Sequence, residues 1–382
     1  MSAKQKQTIT TTNGVAIGLL SEQEKRDFEN RVKACPPDKR TAIIVHDKAD
    51  PDALSALALK QLLEAWGLQS DIISEGNSSN PMNTTMISRL NIEVKNKKFF
   101  LKNRDAYGLI ILFDTGIGHC FLRDDDIKAI TPVVCPDIII DHHPLNILPK
   151  NCLIIKKEVG AAATILYNLF KGFSLVPDAR AATALALGIS ADTKDLTIES
   201  ETTDFDREAH RGLRLLYDYP LFEKINKRFD LTISHVKLLG KAFTQPIYHD
   251  ENILMLGVGC VSGGQTEFLA YIIDIAIRTD VKLAVILGIE DFRMFQIKVR
   301  KHADLINVDE LCKKVFEDPL KTDIGTASAG GRTASGGAQV PLVERERKIL
   351  ENASEDEREA LFMHYFEYYK ERLQQHMKEL GF

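Results

Sequence analysis

The stretch that most limits what this chain can become is residues 41–59, TAIIVHDKADPDALSALAL. Ala42 to Val45 form an apolar, largely β-branched run, the mark of a buried strand. The run ends in His46, Asp50 and Asp52 and passes straight into a helical pattern from Ala53 to Trp66. Asp50 fits a helix N-cap, with Pro51 in the first helical position. An imidazole and two carboxylates are thereby set at the carboxyl end of a strand, where open α/β sheets carry their sites. So many oxygen and nitrogen donors in one place call for a divalent cation.

With 382 residues, two domains are expected, and 44% hydrophobic content supplies a sizeable core. A net charge of −5 argues against a track for long duplex nucleic acid, which needs a dense basic surface. It leaves room for a small phosphorylated ligand gripped by a few arginines. The six cysteines (Cys35, Cys120, Cys135, Cys152, Cys260, Cys312) show no C-x-x-C spacing and read as free thiols in a reducing compartment. No apolar run reaches spanning length and no signal pattern opens the chain, so the expectation is a cytoplasmic protein with no membrane partner.

Residues 1–20 read as a mobile arm. Ser21 and Glu24 make a capping box, predicting a charged helix that Cys35-Pro36-Pro37 stops. Further strands are predicted at 70–74 (SDIIS), at 107–113 (YGLIILF, ending in Asp114) and at 137–140 (DIII, running into Asp141-His142-His143-Pro144). Alanine-rich helices follow at 159–170 and 178–187, the second leading to Asp192. This alternation predicts a doubly wound, mostly parallel α/β sheet over 21–193. A helical connector (194–244) and a smaller α/β domain (245–345) come next. In that domain Glu290-Asp291 suggests a tight hairpin, and 325–337 (GTASAGGRTASGG) reads as too flexible for an element interior. The extension 346–382 opens on a second capping box at Ser354 and Glu357. Its apolar stripe, from Leu361 and Phe362 to Met377 and Leu380, reads as packed on its own domain, with a homodimer face as the alternative.

Four segment ends thus deliver His46, Asp50 and Asp52; Asp114; Asp141, His142 and His143; and Asp192. Singly, each has a plain structural reading as a cap or turn. Together they form an acidic cluster that repels itself unless cations sit inside it, and the inventory suits two metals.

These residues resemble the DHH phosphoesterase superfamily: H-x-x-x-D-x-D at His46, Asp50 and Asp52, a lone Asp at Asp114, DHHP from Asp141, and A-D-T at Ala191-Asp192-Thr193. By layout the chain is most similar to the nano-RNase and pAp-phosphatase subgroup. The resemblance implies that His46 and Asp50 bind one Mn²⁺-like ion (Mg²⁺ suits the same donors). Asp52, His142 and Asp192 bind a second, with Asp114 bridging. It implies that Asp141 accepts the other ring proton of a ligand histidine. A hydroxide activated by both ions attacks phosphorus, and His143 stabilises a phosphate oxygen or protonates the leaving group. The second domain looks like the DHH-associated substrate-binding domain. There Arg300 and the loop bearing Gly330, Gly331, Arg332, Gly336 and Gly337 are implied to grip substrate. Arg332 stands where the family loop has His. The segment ending in Asn83 is similar to a subgroup motif and makes Asn83 a further substrate contact.

The function implied is hydrolysis of phosphate esters of small nucleotides, either short oligoribonucleotides or pAp-like bisphosphates. Cyclic-dinucleotide phosphodiesterase and exopolyphosphatase are alternatives within that class. A non-catalytic nucleotide-binding regulator on the same fold is the alternative outside it.

Overall fold

The computed structural model describes residues 11–12, 15–16, 18–76, 78, 80–117, 120, 135–145, 147–226, 231–244, 247–263, 265–302, 306–316, 321–322, 325–331 and 335–381. Arg332, named above as a substrate contact, lies outside them. The chain divides into two compact units, Met1–Asp230 and Leu231–Phe382.

The first unit is built on six parallel strands. Their spatial order is Val94–Lys95, Ser70–Ile73, Arg40–Ile44, Tyr107–Phe113, Ile138–Asp141 and Leu153–Lys156. In chain order this is 3-2-1-4-5-6, the doubly wound arrangement. Ile43 and Val45 point into one core with Phe28, Leu59, Ile165 and Leu185. Ala42 and Ile44 point into another with Phe100, Leu112 and Ile139. Both sheet faces are covered, which is why these strands read as continuous apolar runs rather than as alternating ones. The Ser21–Glu24 capping box forms as expected and starts the helix Glu22–Lys33.

The second unit carries a mixed sheet ordered Ser328–Gly331, Ser335–Pro341, Met294–Lys301, Leu283–Glu290, Ile253–Val261 and Ile247–His249. Among the described residues of this sheet only the pair Ile253–Val261 and Leu283–Glu290 is parallel. On one face lie helices Phe268–Ala276 and Ile233–Ala242. On the other, Phe362, Phe366, Tyr369 and Leu373 of helix Glu355–Glu379 pack with Leu311 and Phe316 of Val308–Phe316. The tail stripe is therefore part of this unit's own core. Among the described residues no helix is long and apolar enough to cross a membrane.

Two expectations are corrected here. The glycine-rich segment is not a flexible linker: Gly330 pairs with Gly337 and Gly331 with Gly336 in an antiparallel hairpin, and Gly337 also pairs with Lys298. Backbones approach so closely there that a Cβ on Gly337 would come within 2.3 Å of the Ile297 carbonyl oxygen. Small residues serve strand contact rather than looseness. The hairpin after Glu290 turns through three residues, with Asp291 and Phe292 both at positive φ.

Gly337→Ala is therefore expected to destabilise the second unit by about 1–3 kcal/mol through overpacking. Gly240→Ala, exposed in the last turn of helix Ile233–Ala242 with open space around it, is expected to stabilise it by up to about 0.5–1 kcal/mol. Denaturant midpoints of the two variants should move in opposite directions.

Candidate metal centre

The reversal of strand order falls between Arg40–Ile44 and Tyr107–Phe113, and the crevice at such a switch point is where open sheets bind ligands. His46 leaves the first of these strands. Its Nδ1 lies 2.9 Å from the Asp47 carbonyl oxygen, and its Nε2 faces Asp50 Oδ1 at 3.5 Å and Asp114 Oδ2 at 3.8 Å. Asp50 caps helix Pro51–Leu54 by accepting from the backbone N–H groups of Asp52 and Ala53. Asp114 follows the second strand directly, in a left-handed conformation with φ 53°, and is anchored by donating its N–H to the Ile140 carbonyl. Aspartate tolerates that region better than most residues, and such backbone strain gathers at functional sites.

Around the other side, His142 Nε2 lies 3.4 Å from Asp192 Oδ2, 3.5 Å from Asp114 Oδ1 and 3.8 Å from Asp52 Oδ2. Asp52 is fully buried, and its carboxylate accepts from the N–H groups of Ala162 and Ala163 at the start of helix Ala162–Gly172. Asp192 sits in the last turn of helix Ala179–Thr193, before three consecutive left-handed residues, Lys194, Asp195 and Leu196.

The donors form two triads, His46, Asp50 and Asp114, and Asp52, His142 and Asp192, and an overlapping group of four, Asp114, Asp141, His142 and His143; in each, one donor atom per residue lies within 4.8 Å of the others. Asp114 turns one oxygen to His46 and the other to His142. Asp114 Oδ1, Asp141 Oδ2 and His142 Nε2 are buried without a hydrogen-bond partner. Such atoms cost free energy unless something else satisfies them. Buried lone pairs on two carboxylates and an imidazole fit a divalent cation.

One expected role is corrected. The other ring nitrogen of His142 is held by the Val159 carbonyl, 3.0 Å from Nδ1, not by Asp141. Asp141 Oδ1 instead accepts from the backbone N–H groups of His142 and His143 and from His143 Nδ1 at 3.0 Å. It shapes the turn and fixes the His143 ring. Asn83, expected to touch substrate, is 4% exposed and donates to the Ala49 carbonyl and to Ser78 Oγ, steadying the loop that carries Asp50. In the second unit, Arg300 donates from Nε to Asp274 Oδ1 at 2.7 Å and from a terminal nitrogen to its neighbour's carbonyl, so part of its fork is committed within that unit. Sequence reading overlooked Val159, Ala162 and Ala163, whose contributions are backbone groups and leave no side-chain signature.

Burial works against a charged His46 ring, yet the Asp50 and Asp114 carboxylates push its pKa up to about 10. Burial likewise opposes charge on His142, and Asp114 and Asp192 raise its pKa. Burial with the neighbouring carboxylates raises Asp52 and Asp114. Asp141 goes the other way: despite burial, hydrogen bonds from His143 hold its carboxyl below the ordinary value.

Comparison with known proteins bears on the family and the fold. The model of the DHH family, N-terminal domain, matches residues 40–189. The chain is 28% identical over 323 residues to an uncharacterized protein of Methanocaldococcus jannaschii, MJ1633, a match covering 81% of this chain and 62% of that protein. A second uncharacterized protein of that organism, MJ0988, is 23% identical over 311 residues, covering 78% and 86%. In fold, the chain is similar to an exopolyphosphatase-related protein from Bacteroides fragilis (TM-score 0.63, 16% identity, 93% of this chain and 98% of that one). It is also similar to RecJ in complex with Mn²⁺ from Thermus thermophilus (TM-score 0.50, 16% identity, 94% and 55%).

The raised histidine values have a measurable consequence. Metal ligation requires neutral imidazole, so loading the metal-free chain with Mn²⁺ near pH 7 should release about one to two protons per chain, read by titration in weak buffer. The His46 pKa is raised on folding, so its contribution to the stability of the metal-free chain is complete below about pH 6.5 and lost as pH climbs through about 10. In chelator the melting temperature should therefore fall toward alkaline pH.

Proposed function

Because residues 40–189 place this chain in the DHH superfamily, whose phosphoesterase fold it has, we propose that it is a metal-dependent hydrolase of phosphate esters of small nucleotides, such as short oligoribonucleotides or pAp-like bisphosphates. The observation that carries this reading is the pair of donor triads with the Asp114 carboxylate turned toward both. In this reading His46 and Asp50 hold one divalent cation, Asp52, His142 and Asp192 hold the other, and Asp114 is shared. RecJ, similar in fold, is known in complex with Mn²⁺, and these carboxylate and imidazole donors suit Mn²⁺ or Mg²⁺. Such a pair supplies an activated water and positive charge opposite a phosphoryl group.

The chain's own residues supply the remainder. The His142 ring is pinned by Val159 so that Nε2 stays a donor. His143 has a 39% exposed side chain, against 4% for His142 and 23% for His46, so it is the cluster's most open imidazole. Its Nδ1 is tied to Asp141, and Nε2 is the end that meets a phosphate oxygen or protonates a leaving group. The exposed end of the ring thus works while the anchored end keeps it aimed.

A panel of pAp, di- to pentaribonucleotides, cyclic dinucleotides and polyphosphate, assayed with and without Mn²⁺, tests the reading. Mn²⁺-dependent release from the first two groups, reduced about a thousandfold or more by Asp114→Ala, is expected. Preference for cyclic dinucleotides or polyphosphate would move the substrate. Tight nucleotide binding without turnover would make the chain a regulator.

A further inference from the structure

Asp206 lies outside every ligand triad, yet it is fully buried and both its oxygens are used. Oδ2 accepts from the Gly160 N–H at 2.8 Å and from the N–H and hydroxyl of Thr203, each at 2.7 Å. Oδ1 accepts from the Thr164 hydroxyl at 2.5 Å. The contacts with Thr203 close the capping box of helix Asp204–Leu213. A cap needs no more than that. Here the carboxylate is turned inward onto a different element, the strap 159–164.

That strap is the part of the chain that holds the metal centre from behind. The Gly160 N–H and the Val159 carbonyl belong to one peptide group. The carbonyl takes the ring proton of His142, 3.0 Å from Nδ1, and the N–H goes to Asp206. Two residues on, Ala162 and Ala163 give their N–H groups to Asp52. We propose that Asp206 is a positioning residue of the metal centre, acting on His142 through the peptide that joins Val159 to Gly160. The proposal rests on the two-metal reading above.

The physics is that of hydrogen bonds in series. A carboxylate at a peptide N–H shifts electron density toward its carbonyl oxygen and makes that oxygen a better acceptor. A stronger acceptor at Nδ1 fixes the tautomer and raises the donor strength of Nε2, the effect that a carboxylate bonded directly to a ligand histidine has. The residue between them must be small. A Cβ at Gly160 would come within 2.9 Å of Asp206 Oδ2 and 2.6 Å of Thr193 Cγ2, so glycine lets the peptide reach the carboxylate.

Mn²⁺ binding to the full chain, followed by loss of the free-ion electron paramagnetic resonance signal, tests this with four proteins: unaltered, Asp206→Asn, His142→Ala and the double variant. Asp206→Asn keeps size and an oxygen for Gly160 but removes the charge. One bound Mn²⁺ is expected to weaken about tenfold, with no further loss when the change is added to His142→Ala. Binding unchanged by Asp206→Asn, or weakened by the same factor in both backgrounds, would overturn the proposal. Should Asp206→Asn fail to fold, Thr164→Val, which removes one donor to the same carboxylate, takes its place. With one donor fewer, Asp206 is a stronger acceptor toward the Gly160 N–H, so tighter Mn²⁺ binding supports the proposal, and unaltered or weaker binding overturns it. Failure of the two-metal reading shows up elsewhere, as an unaltered chain that binds no Mn²⁺, and would remove both.

Discussion

Mutual repulsion among buried carboxylates sets the terms for the first unit. Asp52, Asp114 and Asp141 are nearly or fully buried, and Asp192 stands beside them at the switch point of a parallel sheet. In a low-dielectric setting such a group cannot all be charged without cations or protons among them. Histidine supplies the latter in the metal-free chain, which is why burial fails to depress His46 and His142. The surrounding backbone counters the same charge: a helix start faces Asp52, and peptide N–H groups face Asp50 and Asp141. The fold therefore keeps the acids together through backbone donors, and leaves Asp114 and His142 facing a place where an ion can take over from the histidine proton.

Much of this was legible in the residues. His46, Asp50 and Asp52 follow an unmistakable strand and carry their own capping signal, and Asp114 and Asp141 end equally clear apolar runs. Side-chain type and strand ends are local properties, so they survive in one dimension. The order of the six strands is not local, and nothing in the sequence distinguishes 3-2-1-4-5-6 from other doubly wound orders. The same is true of Val159 and Gly160, which act through a peptide group common to all residues. Asn83 is ambiguous for a related reason: an amide beside a site suits either substrate or scaffold, and here Nδ2 is bound to Ala49 and Ser78 while Oδ1 is buried without a hydrogen-bond partner.

The glycine-rich segment of the second unit shows a different limit. Composition alone favours looseness for Gly330, Gly331, Gly336 and Gly337, whereas the strands they form are pressed against Ile297 and Val308. Scarcity of side chains permits close approach as readily as disorder, and the neighbours decide which. The tail helix went the other way. Its aromatic stripe had an ordinary explanation, and Phe362, Phe366 and Tyr369 fill the core of their own unit.

The strand order also bears on how the protein comes into being. The strand that pairs with Arg40–Ile44 across the switch point is the fourth of its sheet to leave the ribosome, and the helix bearing Asp192 is later still. Until that helix docks, the emerging polypeptide holds a histidine and several acids with no shared cavity. The cage is complete only once that helix has docked, so a cation acts as a latch on elements already in place rather than as a seed for them.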